Sequence, residues 1–373
     1  MSTQPQTQCP LNNDIFYDIL RRLDGVTLAA AACACTAFSS ISKEERIWEN
    51  VCHSLWPSTN RADVKILINS IGGFRKFYAD CYPLIVNKHL ALRPWDSLEE
   101  LPDEFPELDY YDESKESNSI NPSDFVSLVD IRYKNRPFFS KVLWGISDSD
   151  FLSRWFYNSP FCIDLLKDVN DLESNSESGK FTLSGLDGLP QIQSIDIERK
   201  EGILWKELRD GISLSWIIIN RKVNQAANVS SWVPLGVQRH WPTNKDFLVR
   251  FGSVLPAEDD LHCQAVECIL LAKFRMFNDA ATGFVNIELN QVSMQLEDME
   301  GSHVNGRNSL LVLKNAMSCK RSRNYSEALE CCNLYNKVRS ELKEAKLRSE
   351  SRTDRLCIVT GIGAVLAFWF CFL

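Results

Sequence analysis

Pro10-Leu-Asn-Asn-Asp-Ile-Phe-Tyr-Asp-Ile-Leu-Arg-Arg-Leu23 is the stretch on which the reading of this chain turns. Asn12 and Asn13 are good helix N-cap residues, because a short polar oxygen can accept from the free backbone N–H groups of a first turn. Asp14 follows them, where a carboxylate suits the positive helix end. Ile15, Ile19, Leu20 and Leu23 then fall on one helical face, and Asp24-Gly25 ends the element. A second helix is expected from about Thr27, with Leu28, Ala31, Ala32 and Cys35 inward and its alanines allowing close approach. Ser42-Lys-Glu-Glu45 has the spacing of a capping box just before Ile47 and Trp48, so a third helix is expected there. Three helices in about 45 residues cannot enclose a stable core, since a small domain buries too small a fraction of its surface. A covering partner is therefore expected.

The rest of the chain divides by composition. Residues 57–95 continue in helical style, and residues 96–123 form an acidic flexible loop in this reading. Within it, the stretch 96–116 holds ten acidic residues against Lys115, the usual pattern of a solvated charge run. From 124 to 315 the runs Phe125–Ile131, Leu214–Ile219, Phe247–Val254, Cys268–Phe274 and Phe284–Leu289 are of strand length and are separated by turn-rich segments, which predicts a β-rich domain. Helix returns over 320–350, where Tyr325, Ala328, Cys332, Tyr335, Val338, Leu342 and Ala345 make one apolar stripe. The simplest account of that stripe is packing on the β-rich domain. The fold class is α+β.

Several functions are disfavoured. A net charge of −8 and the lack of a basic cluster with interleaved aromatics argue against nucleic acid as a partner. The thirteen cysteines include no CxxC pair, so neither a disulfide framework nor a structural zinc site is expected. His262-Cys263 with Cys268 lacks a fourth ligand, and no P-loop, dinucleotide fingerprint or nucleophile elbow occurs. The expectation is a protein with no catalytic residue, no cofactor and no metal.

Leu356-Cys-Ile-Val-Thr-Gly-Ile-Gly-Ala-Val-Leu-Ala-Phe-Trp-Phe-Cys-Phe-Leu373 carries no charge. As a helix, its 18 residues would span about 27 Å, close to a thin bilayer. Its Leu, Ile, Val and Phe residues favour insertion by roughly 3 to 6 kcal/mol. Lys346, Arg348, Arg352 and Arg355 precede it and favour a cytosolic amino side. The segment Leu356 to Leu373 is read as a single-pass membrane tail anchor with the main body in the cytosol; the alternative is a cytoplasmic or nuclear protein whose tail is buried.

The amino-terminal run resembles the F-box. Leu11, Asp14 and Ile15 match its opening pattern, Ile19, Leu20 and Leu23 its Ile-Leu-x-x-Leu, and Leu28 its next anchor. Cys35 and Phe38 look like its Val-Cys…Phe stretch, and Trp48 and Val51 like its close. The usual Pro is Asn12 here, which implies weaker preorganisation of the first turn but not loss of binding. Leu55-Trp-Pro-Ser-Thr59, Ile71-Gly-Gly-Phe-Arg-Lys-Phe-Tyr-Ala-Asp80, Tyr82-Pro-Leu84, Val129-Asp-Ile-Arg-Tyr-Lys134 and Trp155–Leu166 extend the likeness to one plant subgroup of F-box proteins.

The resemblance implies a three-helix F-box over 8–56 that binds a Skp-type adaptor, and through it cullin, in an SCF ubiquitin ligase. It implies contact with the adaptor through Leu11, Ile15, Leu20, Leu23, Leu28 and Trp48, with some of these serving the internal core instead. The domain over 124–315 would recruit an unidentified protein target. The reading from another class is a tail-anchored scaffold that joins no ligase.

Overall fold

The computed structural model describes residues 13–87, 120–146, 153–166, 206, 209–239, 246–257, 265–278 and 285–372. Strand β2 (Phe125–Tyr133) pairs with β3 (Arg136–Trp144) on one side and β5 (Ile212–Asn220) on the other, and β6 (Gln225–Asn228) completes an antiparallel sheet of order β3-β2-β5-β6. Antiparallel strands commonly alternate apolar and polar residues because one face meets water. In β2 and β5 almost every residue is buried, so both faces are covered.

One parity, Phe125, Val129, Ile131 and Tyr133 with Leu214, Trp216 and Ile218, faces a second sheet. That sheet is five-stranded, of order β4 (Cys162–Leu166), β10 (Val285–Glu297), β9 (Ala265–Asn278), β8 (Asp246–Pro256) and β7 (Gly236–Arg239). Phe247, Phe251, Leu270, Phe274, Val292 and Met294 supply its half of the sandwich core. The other parity, Val126, Leu128, Ile217 and Ile219, packs against amino-terminal helices. The continuous apolar run Trp216-Ile-Ile-Ile219 is thus the signature of a strand in the middle layer of three.

The helical layer comprises α1 (Asn13–Leu20), α2 (Gly25–Ala31), α3 (Thr36–Ile41), α4 (Glu45–Leu55), a 3-10 turn over Pro57–Asn60, α5 (Ala62–Ser70) and α6 (Gly73–Cys81). The segment expected as one second helix is two: α2 stops at Ala31, and Cys35 in extended conformation caps α3 through its sulfur, 3.5 Å from the Phe38 nitrogen. Aromatic packing knits the layer together. Trp56, Phe77 and Tyr78 are buried together, with the Trp56 and Phe77 rings edge to face at 5.5 Å. Such contacts add about 0.5–1.5 kcal/mol each beyond area burial.

Strand β1 (Leu84–Ile85) pairs with β11 (Arg321–Ser322), so the end of the helical layer is tied to the carboxyl-terminal part of the chain. Helix α7 (Ser153–Asn158) precedes β4, and α8 (Gly306–Ala316) buries Leu310, Val312, Leu313 and Ala316 in the sandwich core. The last element, α9, runs unbroken from Tyr325 to Phe372. The amphipathic helix and the hydrophobic tail expected as separate helices are therefore one. The residues between them, 350–355, include neither Pro nor Gly, so nothing stops propagation.

Candidate functional site

Helix α1 splits its apolar stripe between two environments. Leu20 is buried, and Phe16 meets Phe38 edge to face at 5.1 Å. Ile15 and Ile19, one turn apart, are 48% and 49% exposed. At 100° per residue the stripe from Ile15 and Ile19 through Leu23 and Phe16 to Leu20 is about 140° wide, broader than the neighbouring helices cover.

Asp24 does not merely follow α1; it caps α2. Its Oδ1 accepts from the Val26 and Thr27 nitrogens, both at 2.9 Å, and its Oδ2 from the Thr27 hydroxyl at 2.8 Å. These bonds, the Thr27 backbone N–H above all, hold its carboxyl below the usual range. Gly25 is required by packing, since a Cβ there would stand 2.2 Å from the Tyr78 ring. Asp24-Gly25 therefore starts a helix rather than only ending one. Beyond it, Leu28 is buried while Val26 is 37% exposed beside the α1 pair in sequence.

The capping box expected at Ser42–Glu45 does not form. Ser42 is buried, and its carbonyl accepts from the Trp48 indole N–H at 2.7 Å. Glu44 occupies the N-cap position of α4 without a side-chain bond, and Glu45 instead accepts from the Phe74 nitrogen at 2.8 Å. Of the six residues expected to face the Skp-type adaptor, Leu11 lies outside the described residues. Ile15 is exposed, Leu23 packs half-buried on the helical core, and Leu20, Leu28 and Trp48 are inside it. Ile19 and Val26 join Ile15 at the surface. The sequence placed Ile19 on the right stripe, but only packing decides which edge of a stripe is left open.

Behind this surface lies a polar seam between the helical layer and the sheet. Asp130, on the helix-facing side of β2, accepts from the Ser58 nitrogen at 2.9 Å, the Ser58 hydroxyl at 2.5 Å and the Ser140 hydroxyl at 2.7 Å. Burial pushes its carboxyl up to about 6, against the lowering effect of those donors. The Trp56 indole donates to the Ser215 hydroxyl at 3.1 Å, and Arg132 donates to the Leu55 carbonyl at 3.4 Å. Two of the sequence motifs, 55–59 and 129–134, meet here.

Comparison with known proteins gives the surface its context. F-box protein At2g27310 of Arabidopsis thaliana is 28% identical over 364 residues, which cover 96% of this chain and 94% of that protein. Probable F-box protein At2g36090 of the same plant is 29% identical over 357 residues, covering 95% and 89%. The chain is similar to plant F-box proteins over most of its length. F-box protein GID2 of Oryza sativa subsp. japonica is 34% identical over only 71 residues, which cover 18% of this chain and 34% of that protein. No family profile matches the chain, and no solved structure matches it. The longer matches matter most, because they take the F-box relationship through both sheets rather than one helical segment.

In this chain the carboxyl-terminal helix is held by a second buried carboxylate. Glu267 of β9 meets Arg250 at 2.5 Å and Arg339 of α9 at 3.3 Å, and Arg339 also meets Glu297 at 3.0 Å. Burial pushes the Glu267 carboxyl up, while the two arginines hold it down. Cys332 and Tyr335 are buried against Val254, Ala265 and Met299, with Val338 and Leu342 packed beside them. The helical stripe thus lies on the β-rich part of the chain, as its periodicity predicts. A cleft of about 180 Å³ opens between β7 and α9, with Arg250 and Glu267 in its wall. No group of metal-ligating side chains occurs among the described residues. His262 and Cys263 lie outside them.

Past Leu342 the α9 side chains are exposed, among them Leu356, Ile358, Val359, Ile362, Val365, Leu366, Phe368, Trp369 and Phe370. Leu373 lies outside the described residues. Among the described residues, α9 is the one helix long and apolar enough to cross a membrane.

Proposed function

We propose that this chain is the substrate-recognition adaptor of an SCF-type ubiquitin ligase. Its outer helical face binds a Skp-type adaptor and through it cullin, and the double-sheet body presents a protein target for ubiquitination. The observation that carries this reading is the solvent-exposed set Ile15, Ile19 and Val26 on the helical layer of a chain related to F-box proteins. Leu11, four residues before Ile15 in sequence, is a further adaptor contact in this reading. Leu20, Leu23, Leu28 and Trp48 serve it from behind by fixing the helices. No bond chemistry is asked of the chain. Tethering a target beside a conjugating enzyme supplies roughly millimolar effective concentration, which is enough to direct modification.

The test is co-purification of the Skp-type adaptor with the full chain and with Ile15→Asp/Ile19→Asp. Truncating or charging an interface anchor costs roughly 2–4 kcal/mol, so adaptor affinity should fall roughly 30- to 1000-fold. Because both residues are exposed, the melting temperature should hold. A wild-type chain that captures no adaptor sinks the reading and leaves the scaffold that joins no ligase.

The exposed apolar end of α9 favours a further element of the same reading: a single-pass membrane anchor over Leu356–Leu373 with the body on the cytosolic side. In the competing arrangement the chain is cytoplasmic or nuclear and a protein covers this helix.

A further inference from the structure

We propose that the segment of α9 just before its apolar end is a binding face for anionic phospholipid headgroups. The inference rests on the membrane reading above and adds the lipid class. Between Leu342, the last residue packed on the body, and Leu356, the helix carries Lys343, Lys346, Arg348, Arg352 and Arg355. At 100° per residue the three arginines fall within about 60° of one another, and Glu350 and Asp354 fall on the opposite side. Glu344 lies on the arginine face and is taken up by Arg348, so the acids leave Arg352 and Arg355 unneutralised.

Ion pairing sharpens the assignment. Lys346 is engaged with Glu300 at 3.1 Å and Arg348 with Glu344 at 3.0 Å. Arg352 and Arg355 are exposed and make no ion pair within 4.0 Å among the described residues. At about 1.5 Å per residue they stand about 6 Å and about 1.5 Å from Leu356 along the axis. The headgroup layer outside the hydrocarbon is about 5–7 Å thick on each side. Both guanidinium groups therefore lie at phosphate depth when the apolar run spans.

Arginine suits that place. Its planar fork binds phosphate through two parallel N–H donors and keeps its charge at any cellular pH. A single helical face does not enclose a small anion, so the fitting occupant is a surface of many phosphates, a leaflet rich in anionic lipid. Each basic residue at such a surface gives about a fivefold preference over a neutral one, so two give roughly 25-fold.

The experiment uses the full chain in phosphatidylcholine vesicles with and without phosphatidylserine, beside R352Q/R355Q. Spin-labelled phosphatidylserine and phosphatidylcholine report which lipid sits next to the protein. The wild type should select phosphatidylserine by up to roughly 25-fold, lose most of that in high salt, and lose it also in the double variant. Resistance to alkaline carbonate should be the same for both chains. Equal selectivity in wild type and variant, with carbonate resistance intact, overturns the headgroup face and leaves the anchor standing. Extraction of the wild type by carbonate overturns the anchor and the headgroup face together.

Discussion

Among the described residues two apolar surfaces stand uncovered, and they differ in shape as well as place. On α1 and α2 the uncovered residues are one-sided: Ile15, Ile19 and Val26 face out, while Leu20 and Leu28 of the same helices are sealed in the core. At the end of α9 they surround the helix, from Leu356 to Phe370. A helix apolar along one side suits a folded partner, whereas a helix apolar all round suits hydrocarbon. In the proposed reading one chain thus carries two solvent problems with two different solutions, a protein for the first and a bilayer for the second.

Removing residues 356–373 breaks the comparison most forcefully. The apolar run favours insertion by roughly 3–6 kcal/mol, about 10²- to 10⁴-fold in partition. The truncated chain should move wholly from the carbonate-resistant pellet to the soluble fraction while still capturing the Skp-type adaptor. A full-length chain that is already soluble would make the two surfaces the same kind of thing, both waiting for protein.

Next comes a contrast within the first surface. Leu28→Ala should cost about 2–5 kcal/mol of stability, because it leaves a cavity in a packed site. Ile15→Ala should change stability by within about 0.5 kcal/mol, the range for exposed positions away from special features. Denaturant midpoints at unchanged slope give both numbers. Equal losses would mean that Ile15 is covered within the folded chain itself, and the outer face would no longer be free for a partner.

These contrasts also mark what the sequence made legible. Strand-length runs announced β2, β5, β8, β9 and β10, because burial on both faces or one leaves an unbroken or alternating apolar record. The three-and-four spacing of Cys332, Tyr335 and Val338 announced which side of α9 packs. Capping was less legible. Ser42 and Glu45 have the right spacing for a capping box, yet each finds a tertiary partner, Trp48 and Phe74, and the local motif is lost to them. Asp24-Gly25 can stop one helix or start another, and the Tyr78 ring, more than fifty positions away, decides. The division of the α1 stripe into buried Leu20 and open Ile15 is likewise set by what the neighbouring helices cover. Spacing records that a residue is apolar; it does not record which partner reaches it.

The smallest expected effect concerns what each surface hangs on. Both are fixed to the sandwich through a buried carboxylate, but Glu267 has two arginine partners across the α9 contact, whereas Asp130 has the Ser58 and Ser140 donors at the helical seam. A carboxylate whose hydrogen-bond donors are neutral, with the Arg132 charge a lesser influence, keeps more of its desolvation cost, and the Asp130 carboxyl is accordingly pushed from 3.8 up to about 6. The folded chain therefore binds a proton at Asp130 between about pH 4 and about pH 6 that the unfolded chain has released. That contribution to stability is complete below the unfolded value and is lost as pH rises through about 6, amounting to about 3 kcal/mol. Asp130→Asn cannot ionise. Its stability relative to wild type should therefore change with pH, the wild type gaining up to about 3 kcal/mol on the variant as pH falls from neutrality to about 4. Paired urea titrations across that range measure the difference directly. A flat difference would mean that the seam's donors offset burial fully.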